Sequence, residues 1–431
     1  MKILLVNPPN SGRSIPEEKY GLDSMKKIFK GEPLGLEVLA GGLGDHDVRL
    51  LDLKVDETGL AAVLDEFRPD LVGFTAVTCE ARTALALCRE VKERSGAWTA
   101  VGGVHATHDP EFFNRPDVDF VFVGLGKLSL RELTAALEAG LSPRGIPGVG
   151  LTDPGQPLDL VQRDFTTADL LDDLPPRYDL VASYRPRYVL QSLGLRVGFA
   201  TSAFGCPFRC TFCSIGRLTG FRHLTCAVAA VARDVALLGD IPVVRLVDAN
   251  TFADVDHSRK LCRALAELGL GKKYLADARA DSATRHPDLF EEWRAAGLKA
   301  VVIGFEEVSD ARLRGFDKRS TAAVNLEAVR VLHGLGVTIV GDFIVSPDYS
   351  PDDFAFLEDF ISGSGIDLPM LSILTPLPGT PLFDRMKDRI IIHDLDYYTL
   401  TNAVVPTRMR EDDFYSRFAT LAAGFHANAG L

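Results

Sequence analysis

The sequence has no long apolar run. None approaches the roughly 20 residues that a bilayer-crossing helix needs, so no membrane span is expected. It also lacks a basic excess: 47 Lys and Arg stand against 59 Asp and Glu, a net charge of −12. Phosphate backbones are bound by basic surfaces, so this balance argues against nucleic acid as a partner. No secretory leader is expected, because Met1-Lys-Ile-Leu-Leu-Val-Asn-Pro is too short and too strand-like. A disulfide framework is absent too. Of seven cysteines, three crowd into one short stretch, a usage that suits a reducing cytoplasm. Cys79, Cys88, Cys226 and Cys262 read as small buried apolar side chains. What is present is globular in character. Apolar residues make up 46% and charged residues 25%, and 431 residues suffice for two or three domains.

Short β-runs alternate with helical patterns over residues 1–141, which predicts a doubly wound parallel sheet of the Rossmann-like kind. Its ligand is expected beyond the carboxyl ends of the strands. Those ends carry Asp52-Leu-Lys54, Thr75-Ala-Val77 and Gly102-Gly103-Val-His105. Residues 10–32 read as a loop. Residues 142–195, rich in Pro and Gly, read as a linker whose Tyr184-Arg-Pro-Arg-Tyr188 cluster packs onto the next domain. From 196 to 383, six β/α units predict a partial (β/α)6 barrel of the TIM type, with chemistry at the carboxyl ends of its strands. The candidates there are Cys206 to Cys213, Asp248, Asn250, Asp277, Arg279, Glu306, Glu307, Asp342 and Thr375. Residues 384–431 form a C-terminal cap with a helix over 412–427. Its Tyr397, Tyr398, Asn402 and Arg408 either reach the barrel mouth or pack the tail down.

The most informative stretch is Gly205-Cys206-Pro-Phe-Arg-Cys210-Thr-Phe212-Cys213, directly after the first barrel strand. A structural zinc site takes four protein ligands, whereas three close thiolates suit a [4Fe–4S] cluster with one iron left open. The competing readings are a zinc knuckle completed by His223 or Cys226, and cysteines that are merely buried.

This C-x3-C-x2-C pattern, with an aromatic before the last Cys, resembles the signature of radical S-adenosylmethionine (SAM) enzymes. The flanking Thr201-Ser202, Pro207-Phe208 and Ser214-Ile215 resemble the branch with an N-terminal cobalamin-binding domain. The resemblance implies that Cys206, Cys210 and Cys213 ligate the cluster and that its open iron chelates SAM, which is cleaved to a 5′-deoxyadenosyl radical. It implies SAM contacts for Glu306 of Gly304-Phe-Glu306, for Arg279 and for Asp248, with Phe212 packed beside the cluster or the adenine. Leu313-x-Gly-x-x-Lys318 resembles a structural segment of the family. In the N-terminal domain, Asp52, Thr75, Gly102, Gly103 and His105 match or border the family's cobalamin-binding positions. Lys54 stands where some relatives place a cobalt-ligating His, and Lys127 where relatives usually carry Glu. Cobalamin is therefore expected without a protein His below cobalt.

The activity implied is methylation of an unactivated carbon of a small molecule, with an electron donor such as flavodoxin or ferredoxin. The alternatives are oxidative cyclisation, ring rearrangement or cyclopropanation with the same cofactors, and a non-catalytic corrin and Fe–S sensor.

Overall fold

In the first strand, β1 (Lys2–Asn7), Lys2 is exposed and every residue from Ile3 to Asn7 is buried. A run buried on both faces belongs in the middle of a helix-covered parallel sheet. It lies there in the computed structural model, which describes residues 1–21, 31–190 and 195–428. Strands β2 (Asp47–Asp52), β3 (Leu71–Thr75), β4 (Trp98–Gly102) and β5 (Phe120–Phe122) run parallel to it. Their order is β2-β1-β3-β4-β5, so the winding reverses between β1 and β3 and opens a crevice at the carboxyl ends. Leu36, Ala40, Leu130 and Leu133 cover one face of this sheet, and Leu60, Leu64, Ala84 and Cys88 the other.

The expected linker begins by extending this sheet. Its β6 (Val149–Leu151) and β7 (Asp159–Leu160) add two antiparallel strands beside β5. Its Tyr184–Tyr188 cluster packs on the first domain, not on the barrel as expected. Tyr188 OH donates to Asp52 at 2.8 Å, and Tyr184 OH is hydrogen-bonded to Asp56. Asp52, the last residue of β2, and Asp56 beyond it supply carboxylate acceptors for these hydroxyls.

The chain then forms β8 (Val189–Leu190), β9 (Leu195–Ala200), the small antiparallel pair β10 (Ala203–Phe204) and β11 (Leu224–Thr225), and the remaining barrel strands. These are β12 (Val243–Leu246), β13 (Lys273–Ala278), β14 (Leu298–Glu306), β15 (Thr338–Val345) and β16 (Leu368–Ile373). The order β16-β15-β14-β13-β12-β9 is parallel throughout, a half-barrel, with β8 antiparallel on its outer edge.

Residues 10–32, expected as a loop, contain a helix at Ile15–Tyr20. Ser14 caps it, Pro16 stands in its first turn with Glu17 and Glu18, and Gly21 ends it. Positions 22–30 of that expected loop and 191–194 of the linker lie outside the described residues. The tail packs down on the strand ends: Asn402 O accepts from Thr375 Oγ1, and Val405 joins the cluster of Phe316 and Phe212. Asn402 is fully buried; its Oδ1 accepts from Ile15 N at 2.7 Å, and its Nδ2 donates to Arg13 O at 2.8 Å and Tyr397 O at 2.7 Å. The last helix, Glu411–Asn428, lies against β16 and stacks Tyr415 on Tyr20. Among the described residues no helix is long and apolar enough to cross a membrane.

Candidate functional site

The cysteine loop is shaped from its flanks. At its start, Gly205 has φ +76, and a Cβ there would lie 1.9 Å from Thr219 Oγ1, so no other residue fits. At its centre, Thr211 N donates to Phe316 O at 2.9 Å, and Leu382 N donates to Thr211 O at 2.9 Å. Phe212 meets Phe316 edge-on at 5.2 Å. The loop is thus fastened to the segments that follow β14 and β16. All three thiols are partly exposed and free, and burial pushes the Cys213 thiol up to about 11, with the charges of Cys210 and Cys206 acting in the same direction.

Among the described residues no three His, Cys, Asp or Glu side chains converge closely enough to share one metal ion. Three thiols on one loop, with no fourth ligand grouped with them among the described residues, are the donor set of a [4Fe–4S] cluster with one iron left open.

Asp248, expected as a cofactor contact, has both oxygens occupied by the chain. Oδ1 accepts from Thr201 Oγ1 (3.0 Å), Ser202 N (2.7 Å) and Ala203 N (3.0 Å), while Oδ2 accepts from Ser202 Oγ (2.5 Å) and Thr251 Oγ1 (3.0 Å). A buried carboxylate with five donors holds the turn from β9 into the cysteine loop.

The barrel mouth is charged. Glu306 ends β14 at φ +65, where the register with β15 shifts, and its Oε1 pairs with Lys318 Nζ at 2.7 Å. A non-glycine residue held in the left-handed region at a strand end is a common mark of a working site. Arg279 lies 3.8 Å over the Phe208 ring, pairs with Asp281 at 2.8 Å and donates to Lys318 O at 2.7 Å. Thus Glu306, Arg279 and Lys318 form one group beside the cysteine loop. Lys318, expected to be structural, links the other two.

One layer deeper, Arg245 Nη2 bridges both oxygens of Asp277 at 2.8 and 2.9 Å. Burial raises Asp277 to about 6 and Asp342 to about 7; for Asp342, the charges of Glu306 and Asp277 add to it. Arg245 escaped the sequence reading, although a charged residue inside the apolar run Val243-Val-Arg-Leu246 was the available signal.

On the first sheet, Thr75, Gly102 and Gly103 line an apolar slot of about 280 Å³ with Leu5, Leu36 and Phe122. Gly103 has φ +98, and a Cβ there would lie 2.8 Å from the backbone of Ala76. The slot suits a flat apolar group that approaches backbone closely. It continues to Phe204 and Leu218, which flank the cysteine loop. Asp52 does not line it. That carboxylate is fully buried and accepts from Asn7 Nδ2 (2.8 Å), Tyr188 OH (2.8 Å) and Lys54 N (3.1 Å). His105 also turns away. It sits edge-on between Phe112 and Phe113, and burial lowers it to about 4, so the ring is neutral. His105 was expected beside the cofactor, but its ring went to an aromatic cluster.

Lys54 Nζ lies 2.7 Å from Glu80 Oε1. Lys127 is buried and donates to Leu171 O (2.8 Å) and Leu174 O (2.6 Å), which ties the linker to the slot and explains the departure at this position.

Comparison with known proteins agrees with this geometry. Residues 28–134 match the B12 binding domain and residues 201–361 the radical SAM superfamily. The hopanoid C-3 methylase of Methylococcus capsulatus is 29% identical over 90% of this chain and 75% of its own length. The anaerobic magnesium-protoporphyrin IX monomethyl ester cyclase of Cereibacter sphaeroides is 26% identical over 91% of this chain and 68% of its own. The radical SAM methyltransferase TsrM of Kitasatospora setae, solved with cobalamin and a [4Fe–4S] cluster, shares the fold at a TM-score of 0.74. Its identity is 18%, over 95% of this chain and 83% of that one. With a B12 binding domain ahead of its half-barrel, the chain belongs to the radical SAM superfamily, in the branch that pairs the two domains.

Proposed function

We propose that this protein is a cobalamin-dependent radical SAM methyltransferase that acts on an unactivated carbon of a small molecule. The observation that carries the reading is the shared cavity: Gly103 and Thr75 of the first domain and Phe204 and Leu218 beside the cysteine loop line one space. A cavity that runs from the first sheet to the flanks of the cysteine loop suits a reaction that needs both cofactors at one carbon. In this reading Cys206, Cys210 and Cys213 hold the cluster, and Glu306, Arg279 and Lys318 orient SAM. Thr75, Gly102 and Gly103 hold the corrin's apolar tail. When bound, the cluster with SAM supplies a hydrogen-abstracting radical, and the corrin supplies the methyl group.

The chain's own residues prepare this chemistry. The pairing of Glu306 with Lys318 leaves one carboxylate oxygen for a hydroxyl or amino donor. Arg279, stacked on Phe208 and paired with Asp281, presents a fixed positive face to a carboxylate. Lys54 is engaged by Glu80 within the chain, which supports a corrin held without a protein ligand at this position. The electron comes from a donor of the flavodoxin or ferredoxin class. Oxidative cyclisation with the same cofactors is the second reading, favoured by the similarity to the magnesium-protoporphyrin cyclase.

The test is anaerobic reconstitution with a census of iron, sulfide and corrin, followed by incubation with SAM and reductant. Corrin, cluster and 5′-deoxyadenosine together support the proposal. SAM cleavage by a protein that binds no corrin removes methyl transfer from it.

A further inference from the structure

The helix Val104–His108 leaves the slot directly from Gly103 and ends at the other domain. Its last side chain, His108, places Nε2 2.7 Å from the carbonyl oxygen of Ser214, the residue after Cys213. A carbonyl only accepts, so this nitrogen carries the proton. On the ring's other side lies Gly379, where a Cβ would come within 2.6 Å of His108 Nδ1. Just beyond, Leu382 holds Thr211 of the cysteine loop through its backbone. The helix is also braced at the slot: Thr107 Oγ1 donates to Gly103 O and accepts from Gly124 N, both at 2.9 Å. One short rigid element therefore joins the slot wall, the cysteine loop and the turn after β16. The proposed reaction leaves His108 without a task.

We infer that His108 is a positioning residue that sets the spacing between the corrin and the iron–sulfur cluster through its hydrogen bond to Ser214. The inference rests on the proposed function, because it needs both cofactors in place. Its physical basis is leverage. Reactions between held groups are sensitive to displacements of about 1 Å, and a single hydrogen bond beside Cys213 fixes where the cluster loop sits against the corrin domain.

The experiment uses the reconstituted holoenzyme with cob(II)alamin and the reduced cluster. Its readout is the electron paramagnetic relaxation of the corrin signal, which depends on its distance from the cluster spin. His108→Phe keeps a ring and removes the donor; His108→Gln keeps a donor. Gly379→Ala crowds the His108 ring and, at φ +76, strains the turn after β16 that backs it. With iron and corrin contents unchanged, His108→Phe and Gly379→Ala are expected to shift the relaxation from the wild-type value, and His108→Gln to restore it. Wild-type relaxation in both His108→Phe and Gly379→Ala, with both cofactors loaded, overturns the inference and leaves the proposed function standing. A shifted relaxation in His108→Gln equal to that of His108→Phe also overturns it, since a donor at this position would then restore nothing. A wild-type protein that loads cluster but no corrin overturns the proposed function, and this inference with it.

Discussion

At the carboxyl end of the first sheet, the slot is built from Leu5, Leu36, Phe122 and the backbone of Gly102 and Gly103. At the same end of the half-barrel, the mouth is built from Glu306, Lys318, Arg279, Asp281, Arg245 and Asp277. Both are strand-end crevices, yet one offers shape and the other charge. Charges in the mouth cannot be left alone when buried, so each must find a partner or a ligand. Glycine and leucine in the slot make no such demand and record their ligand only as empty shape. The first region has charges of its own, Lys127 and Asp169 among them in the slot wall, but they serve the chain: Lys127 holds Leu171 O and Leu174 O, Asp169 pairs with Arg163, Asp52 holds Asn7 and Tyr188, and Lys54 holds Glu80.

If the two regions are separate sites, they should fail separately. The largest effect belongs to Cys206, Cys210 and Cys213. Replacing any one by Ala should empty the site of iron and abolish SAM cleavage, while corrin loading stays; Cys226→Ala should change neither. Iron and corrin analysis reads both, and loss of the cluster in Cys226→Ala instead of Cys213→Ala would reassign the ligands.

The opposite failure is expected from Gly103→Ala. Its positive φ and its 2.8 Å approach to Ala76 predict strain worth on the order of 10- to 100-fold in corrin affinity, with iron content unchanged. Equal losses of iron and corrin would dissolve the comparison into general unfolding.

Charge in the mouth should show as a graded effect. Glu306→Gln is expected to weaken SAM binding about tenfold and Glu306→Ala further, since a charged hydrogen bond outweighs a neutral one. Unchanged SAM affinity in both variants would remove Glu306 from the site.

A smaller effect tests whether the first region avoids charge even where it has a carboxyl. Glu37 is fully buried, and neither of its side-chain oxygens has a hydrogen-bond partner among the described residues. Burial raises it from 4.5 to about 9, with the charge of Glu32 adding to it. A raised folded value means that its contribution to stability is complete below about 4.5 and is lost as pH climbs through about 9. Glu37→Gln carries no such proton. Its melting temperature relative to wild type should rise by about a few degrees between mildly acidic and alkaline pH. A pH-independent difference would mean that the carboxyl is ionised and paired.

The smallest expected effect is none at all. Lys54→Ala should leave the cob(II)alamin spectrum without a nitrogen superhyperfine pattern, as in wild type. A pattern present in wild type and lost in this variant would make Lys54 a cobalt ligand.

The alternating patterns were enough for two parallel α/β sheets in series, because strand and helix periods are local properties. Spacing was enough to single out the cysteine loop, because three thiols on one loop are a local pattern. Membership of the radical SAM branch was legible for the same reason. Partners across long sequence distances were not. Asp248 and Asp52 looked like cofactor contacts until Thr201, Ser202, Tyr188 and Asn7 occupied their oxygens. His105 looked like a cofactor contact until Phe112 and Phe113 enclosed it. Lys318 and Arg245 gained their places only when β12, β13 and β14 lay side by side, and His108 only when the first domain met Ser214. Local sequence determines which groups can do chemistry. Which of them remain available is decided by tertiary packing, because a buried polar group takes the nearest partner the fold provides.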